Sequence, residues 1–239
     1  MIDTIICGDC LEVMPQIPDK SVDMVLADLP YGITPYKWDT PLPLDDLWLQ
    51  FKRIVKPNTA MVFTAMQPFV TRLIISNPTL FKYEWVWIKT KSSNFQNAKR
   101  MPLRLHETVL IFYENQPTYN PQMRTGVRYA TKRKWFNETY RRDRRKGDKN
   151  YDNKGVLYPS TKIEIGNPSN KNRIPTQKPV ALFEYLIRTY TTEGDTVLDP
   201  TCGSGTTAVA CKRSDRHYIC IEKEPEYCAI AEKRLKEML

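Results

Sequence analysis

Hydrophobic residues recur along the chain with two different periods, which predict alternating strands and helices. Short apolar runs, typical of buried strands, occupy residues 4–7, 23–27, 60–64, 83–88, 108–113, 196–198 and 218–221. Apolar positions three and four residues apart predict helices that include residues 44–55, 67–75, 183–190, 203–211 and 224–238. This alternation favours an α/β fold around a mostly parallel sheet.

The pattern also divides the chain into three regions. Residues 1–115 and 173–239 share the alternation, and we interpret them as two parts of one domain. Residues 116–172 show no clear period and are rich in Asn, Lys, Arg, Tyr and Pro, which indicates an insertion made of irregular loops. A loop region of this length in a compact domain is usually functional or disordered.

Positive charge is concentrated in this insertion. The whole chain has a formal net charge of +9, but residues 118–174 contain 15 Lys and Arg against 5 Asp and Glu, so the remainder is close to neutral. A basic segment with interleaved aromatic residues is typical of nucleic-acid binding, and the alternative is a charged surface loop. The candidate nucleic-acid contacts are Lys132, Arg133, Lys134, Trp135, Arg141, Arg142, Arg144, Arg145 and Lys146.

Composition excludes several other classes of protein. No run reaches the roughly 18–20 apolar residues of a membrane span, and the N-terminus lacks the layout of a signal peptide, so we expect a cytoplasmic protein. Cys7 and Cys10 form the one CxxC motif among six cysteines, and the two histidines are far apart. A zinc site is therefore not expected. We predict reduced cysteines that pack as small apolar side chains, with a redox pair as the alternative.

A glycine-rich turn, residues 199–207, separates a predicted strand from a predicted helix near the end of the chain. Its glycines also fit a loose dinucleotide fingerprint, with Glu222 at the end of the next strand, so a nicotinamide or flavin cofactor is one alternative. However, Asp199 precedes the glycines and is unfavourable beside a pyrophosphate, whereas it suits the ammonium of a methionine moiety. Only one strand follows the turn, and S-adenosylmethionine is therefore the favoured cofactor, with no metal.

The tetrapeptide Asp28-Leu29-Pro30-Tyr31 directly follows the apolar run 23–27, where ligands bind in open α/β sheets. Methylation of an exocyclic amine needs a carboxylate and a carbonyl to accept its two N–H groups, and an aromatic ring to stack on a flipped base. We assign these roles to Asp28, to the main chain of Leu29 and to Tyr31, while Pro30 shapes the turn. The alternative is a strand-end turn without catalytic function.

Together with Thr176-Gln177-Lys178-Pro179, these two motifs resemble the amino-type DNA methyltransferases, which act on adenine N6 or cytosine N4. Their order along the chain is similar to that of the β group, and the resemblance covers nearly the whole chain. It implies a circularly permuted, Rossmann-like methyltransferase sheet with an inserted DNA-recognition region. Residues 1–115 would then carry the catalytic motif, residues 116–172 the target recognition and residues 173–239 the cofactor site. It also implies duplex DNA as partner and favours a homodimer.

The resemblance further assigns residues to the cofactor. It places Asp9 and Cys10 beside the cofactor adenine, and Gln177 and Lys178 near its methionine end. The other implied cofactor-binding residues are Asp28, Asp199, Pro200, Cys202, Gly203, Ser204, Gly205, Thr206, Thr207 and Glu222. One departure from the family pattern is Leu29, which replaces the first proline of the usual catalytic motif. Because the main chain at this residue supplies the carbonyl, we expect the chemistry to be retained.

The target base is the open question of the sequence. Asp at position 28 favours adenine N6 in this family, and cytosine N4 is the alternative because the two reactions share a mechanism. Cytosine C5 methylation is not expected, since none of the six cysteines follows a proline. Two further alternatives are an RNA or protein-amide methyltransferase and a non-catalytic DNA-binding relative.

Overall fold

An eight-stranded sheet organises the chain. The computed structural model describes residues 2–36, 38–128, 130–132, 150–152, 154–167 and 177–238. Numbered in chain order, the strands of the sheet are β1 (Thr4–Cys7), β2 (Val22–Ala27), β3 (Val55–Ala65), β4 (Phe81–Ser93), β5 (Arg104–Phe112), β10 (Lys162–Glu164), β11 (Thr196–Asp199) and β12 (His217–Glu222). Their order in space is β1-β12-β11-β2-β3-β5-β4-β10.

The sheet is mostly parallel, as predicted. Strand β5 is antiparallel to both of its neighbours, and the other neighbouring pairs are parallel. Strand β11 comes late in the chain but lies directly beside β2, with Val197 opposite Met24 and Leu198 opposite Val25. This placement is the permuted arrangement that the order of the motifs predicted.

Helices cover both faces of the sheet. They are α1 (Cys10–Val13), α2 (Leu44–Ile54), α3 (Phe69–Ser76), α4 (Val180–Tyr190), α5 (Thr206–Arg213) and α6 (Pro225–Lys236). Apolar residues of α1, α2 and α3 pack in one core, and those of α4, α5 and α6 in the other. Successive residues of β2 alternate between the two cores, since Val25 packs in the first and Leu26 in the second. Burial on both faces explains the continuous apolar run of this strand.

Several boundaries differ from those predicted. Strands β4 and β5 extend past their apolar runs because they continue to pair with each other as far as Ser93 and Arg104. Helix α5 begins at Thr206 instead of residue 203, because Gly203 and Gly205 adopt φ angles of 52° and 73°, outside the right-handed helical region. The four-residue helix α1 was not predicted, since it is too short to show a helical period.

Residues Pro121–Ser160 form a second compact unit, separate from Met1–Asn120 and Thr161–Leu239. Its described strands are β6 (Arg124–Thr125), β7 (Ala130–Lys132), β8 (Asn150–Asp152) and β9 (Val156–Leu157). They form two antiparallel pairs, β6 with β9 and β7 with β8. Residues 161–167, which the composition grouped with the insertion, contribute β10 to the main sheet. Among the helices in the described ranges, none is long and apolar enough to cross a membrane.

We predict that Gly205→Ala lowers the free energy of unfolding by about 2–4 kcal/mol, which denaturant titration would measure. An alanine Cβ would lie 2.8 Å from the Cβ of Ala231 in α6, so overpacking adds to the cost of a side chain at positive φ. Gly194 is the matched control, because its φ of 83° is also positive but a Cβ there would meet nothing within 4 Å. Gly194→Ala should cost only about 1 kcal/mol. Equal losses in the two variants would contradict this explanation.

Candidate active site

A cavity of about 470 Å³ lies at the carboxyl ends of β1, β2, β11 and β12. Of the residues predicted to bind the cofactor, those that line it are Asp9, Cys10, Asp28, Gln177, Lys178, Asp199, Pro200, Cys202, Gly203, Ser204, Thr206 and Glu222. Gly205 and Thr207 are not among the lining residues. Gly205 lies against α6, and the hydroxyl of Thr207 donates to the carboxylate of Asp199. These two residues therefore contact the elements that form the cavity but do not line it themselves.

The carboxylate of Asp28 is held by three side chains. Its Oδ1 accepts hydrogen bonds from Tyr31 Oη at 2.5 Å and from Thr64 Oγ1 at 2.6 Å. Its Oδ2 accepts one from Lys178 Nζ, also at 2.5 Å. The hydroxyl of Thr201 donates to the main-chain oxygen of Asp28 at 3.2 Å. The predicted acceptor is therefore fixed in orientation at the edge of the cavity.

The side chains of Leu29 and Tyr31 are buried, and only Asp28 and Pro30 of the tetrapeptide line the cavity. The ring of Tyr31 stacks on Phe69, with centroids 5.3 Å apart and planes at 26°. The Nζ of Lys178 also lies over this ring, 5.5 Å from its centroid. A base that stacks on Tyr31 would therefore have to share the ring with this ammonium. Burial and the nearby carboxylate of Asp28 raise the pKa of the Tyr31 phenol well above its usual value, so the hydroxyl remains a hydrogen-bond donor.

Asp199 lies beneath the glycine turn and is almost completely buried. It accepts hydrogen bonds from the hydroxyl of Thr207 and, at 3.1 Å, from the main-chain nitrogen of Thr201. Burial nevertheless raises the pKa of Asp199 to about 7, because these two neutral donors do not replace the lost hydration. A cationic group in the cavity would favour the charged form of this acid.

Glu222 and Asp9 present carboxylates with remaining acceptor capacity. Each oxygen of Glu222 accepts one main-chain N–H at 2.8 Å, from Gly203 and from Glu224, which leaves a second lone pair on each for a ligand hydroxyl. Burial raises the pKa of Glu222. Asp9 caps α1 through the nitrogen of Leu11 at 2.9 Å. This bond, together with an ion pair to Lys223 at 3.0 Å, lowers the pKa of Asp9.

Lys178 connects Asp28 to a second buried acid, Glu107 of β5. The Nζ of Lys178 is 3.5 Å from Oε2 of Glu107, whose other oxygen binds Lys89. Burial opposes the charged forms of Glu107 and Lys178, but their mutual attraction, with that of Asp28 and Lys89, lowers the pKa of the acid and raises that of the lysine. The four groups thus form a neutral cluster of two acids and two bases.

The residues around the cavity fit S-adenosylmethionine better than a dinucleotide. Both lysines that line it, Lys178 and Lys223, are already paired with carboxylates. No free cation among the described lining residues is therefore left for a pyrophosphate. Asp199 suits an ammonium group, and Glu222 suits ribose hydroxyls. In the described ranges, no group of three or more His, Cys, Asp or Glu side chains could hold a metal ion.

Other predicted residues are placed as follows. Five of the six cysteines are buried and Cys7 is exposed, and all six are free thiols. Lys132 ends β7, but its side chain is not described. The predicted nucleic-acid contacts that lie outside the described residues are Arg133, Lys134, Trp135, Arg141, Arg142, Arg144, Arg145 and Lys146.

Sequence reasoning missed Thr64, Glu107 and Thr201, which contact Asp28 or its lysine. Glu107 carries a usable signal, since it is a carboxylate immediately before an apolar strand run. Thr64 lies at the end of β3, beside β2, but the sequence does not state which strands are neighbours. Two aromatic residues that line the cavity, Trp38 and Tyr227, were also missed.

Comparisons with known proteins give a consistent result. The sequence model of the DNA methylase family (N6_N4_Mtase) matches residues 22–233. The type II methyltransferase M.HpaI of Haemophilus parainfluenzae is 27% identical over 252 residues, which cover 98% of this chain and 74% of that relative. M.HinfI, a type II methyltransferase of Haemophilus influenzae, is 28% identical over 267 residues, or 99% of this chain and 69% of that relative.

Solved structures resemble the fold over nearly the whole chain. The M1.HpyAVI–SAM complex has a TM-score of 0.64 and 27% identity, and the match covers 97% of this chain and 98% of that one. The cytosine-N4-specific PvuII DNA methyltransferase has a TM-score of 0.67 and 19% identity, with 97% of this chain and 85% of that one covered. At 19% identity the second match shows the fold alone. The predicted fold class is confirmed.

Proposed function

Because the chain belongs to the amino-type DNA methyltransferases, we propose that its target is the N6 amino group of adenine in duplex DNA. The observation that carries this proposal is the carboxylate of Asp28, which lines the cavity and is fixed by Tyr31, Thr64 and Lys178. The cytosine N4 reaction needs the same acceptor, so adenine rests on the residue type at position 28.

S-adenosylmethionine is the methyl donor, and its sulfonium supplies an electrophilic methyl group. We assign its ammonium to Asp199, its ribose hydroxyls to Glu222 and its adenine to the side of Asp9 and Cys10. Gln177 and Lys178 would lie near its methionine end. The glycine turn allows close approach, because Gly203 has no side chain and a Cβ there would meet no other atom within 4 Å.

The chemistry of the chain is mostly positioning. Once the target base has left the duplex, Asp28 accepts one N–H of its amino group and the carbonyl of Leu29 the other, so that the nitrogen lone pair turns toward the methyl group. Tyr31 provides the stacking face opposite Phe69. The phenol also fixes Asp28, so stacking and acceptor orientation depend on one side chain.

We assign DNA binding to the basic insertion. Arg141, Arg142, Arg144, Arg145 and Lys146 would meet phosphates, together with Lys132, Arg133 and Lys134, while Trp135 would stack at the flipped site. The segment carries essentially the whole excess positive charge of the chain, which supports this assignment. A homodimer remains a prediction from the resemblance, and a cytoplasmic location remains a prediction from the sequence.

Mass spectrometry of nucleosides tests the proposed function. We expect N6-methyladenine in unmodified plasmid DNA after incubation with the protein and S-adenosylmethionine. N4-methylcytosine would correct the base and keep the mechanism, and the absence of any modified nucleoside would contradict the proposal. Asp28→Ala is the control: it should abolish turnover and reduce cofactor affinity far less, since Asp28 acts mainly on the amino group. Full activity of this variant would contradict the role of Asp28 as the acceptor for the target amino group.

The buried state of Asp199 predicts that cofactor binding depends on pH. Its pKa of about 7 means that the acid is largely protonated below neutrality, whereas the ammonium of the cofactor prefers the carboxylate. The α-amino group of the cofactor stays protonated below pH 7, so the pH dependence comes from the acids of the protein, and the Asp199→Asn variant separates Asp199 from Glu222. Affinity measured by calorimetry should therefore fall by about tenfold between pH 7 and pH 5.5. Asp199→Asn should bind weakly and with little pH dependence; an unchanged affinity would refute the contact.

Salt dependence tests the basic insertion. Alanine at Arg141, Arg142, Arg144 and Arg145 should reduce the slope of log affinity for duplex DNA against log salt by about 3–4, since each lost phosphate contact contributes about 0.9. A matched variant removes four exposed lysines of the other unit, Lys52, Lys212, Lys233 and Lys236. It should change the slope by less than about 1. Similar slopes for the two variants would show that the insertion does not neutralise phosphates.

A further inference from the structure

The carboxylate of Asp28 has one oxygen left for a substrate. Its Oδ1 already accepts two hydrogen bonds, from Tyr31 and Thr64, which use both of its lone pairs. Its Oδ2 accepts one, from the ammonium of Lys178. A substrate amino group must therefore donate to Oδ2, beside a buried cation.

The ammonium of Lys178 lies close to the position where positive charge develops during methyl transfer, which is electrostatically unfavourable. When an amine attacks a sulfonium methyl group, the N–C bond forms as the S–C bond breaks and the sulfur leaves as a neutral thioether. Positive charge thereby moves from sulfur to the amino nitrogen until that nitrogen releases one proton to water. An ammonium on the same carboxylate oxygen opposes this change, and the opposition is strong because Lys178 is buried and poorly screened. A cation in this position needs a second anion that can hold it away from the reacting nitrogen.

Glu107 is that anion. Its Oε2 is buried and has no hydrogen-bond partner, although it lies 3.5 Å from the Nζ of Lys178. Its Oε1 is occupied by Lys89. The Oε2 atom is held by the charge of Lys178 at long range and keeps its acceptor capacity for a closer contact. A displacement of less than about 1 Å would bring Lys178 within hydrogen-bond distance of it.

We propose that Glu107 is a positioning residue that acts through Lys178: it shares the ammonium with Asp28 and takes it over when the amino group of the target base donates to Asp28 Oδ2. Lys178 then fixes the carboxylate before the substrate arrives and leaves the acceptor free during methyl transfer. This inference rests on the proposed methyl transfer to an amino group, but not on which base is the target.

A double-mutant cycle tests the coupling. The variants are Glu107→Gln, Lys178→Met and their combination, and the measurement is the single-turnover rate constant of methyl transfer on duplex DNA, with cofactor affinity measured in parallel. We expect Glu107→Gln to lower the rate constant by about tenfold or more and to leave cofactor affinity within about threefold. In the Lys178→Met background, Glu107→Gln should alter the rate constant by less than about twofold, because Glu107 acts through the ammonium that this background lacks.

Lys89→Met separates positioning from a structural role. If Glu107 only anchors Lys89 and the end of β4, then Lys89→Met should lower the rate as much as Glu107→Gln does. We expect a smaller loss, because Glu107 keeps its charge and faces only Lys178. Glu107→Asp also keeps the charge and should retain more activity than Glu107→Gln. It replaces Glu107→Gln in the cycle if that variant does not fold.

The outcomes distinguish the two proposals. Additive effects of the two substitutions, or equal losses in Glu107→Gln and Lys89→Met, overturn the positioning role while the wild-type reaction stands. Loss of cofactor affinity equal to the loss of rate assigns Glu107 to the cofactor site and also overturns it. No methyl transfer by the wild-type protein overturns the proposed function, and this inference with it.

Discussion

The pairing of β2 with β11 is the constraint on which the site depends. The paired residues Leu198 and Val25 are 173 positions apart in the chain, yet they lie opposite each other, so the carboxyl ends of both strands reach the same edge of the sheet. Asp23 reinforces the pairing, since its Oδ2 accepts the main-chain nitrogen of Thr196 at 3.0 Å. Asp28 and Asp199 follow from this register. Because the entropy of loop closure grows slowly with length, the insertion between the strands costs the pairing little.

Three carboxylates at one edge of the sheet repel one another, and this repulsion favours a cationic ligand over an anionic one. The charge of Asp28 is offset by Lys178, whereas Asp199 and Glu222 have pKa values raised by burial and are held by neutral donors. An anionic pyrophosphate would add to the repulsion. A ligand with an ammonium and a sulfonium relieves it, so the same burial that makes the charged acids costly favours a cationic cofactor.

Residues next to turns were predictable from the sequence, and residues within strands were not. Asp28, Asp199 and Glu222 each end an apolar run, so the general rule for ligand sites in α/β sheets was enough to find them. Glu107 and Thr64 reach the site only because β3, β5 and β4 are neighbours in that order. Periodicity states that a segment is a strand but not which strand it pairs with. The basic insertion lacks periodicity, so its charge indicated nucleic-acid binding but its sequence did not predict where its strands and side chains lie.

Leu29 shows how this chain manages without the first proline of the usual motif. Proline would restrict the loop through its fixed φ angle, whereas here the side chain of Leu29 is buried in the core. Asp39 then accepts three consecutive main-chain N–H groups from Gly32, Ile33 and Thr34, at 2.7–2.9 Å. The packing of Leu29 and the carboxylate of Asp39 together hold the loop that follows Asp28. The acceptor geometry therefore depends on tertiary contacts instead of a local ring, which explains why the substitution is compatible with the site.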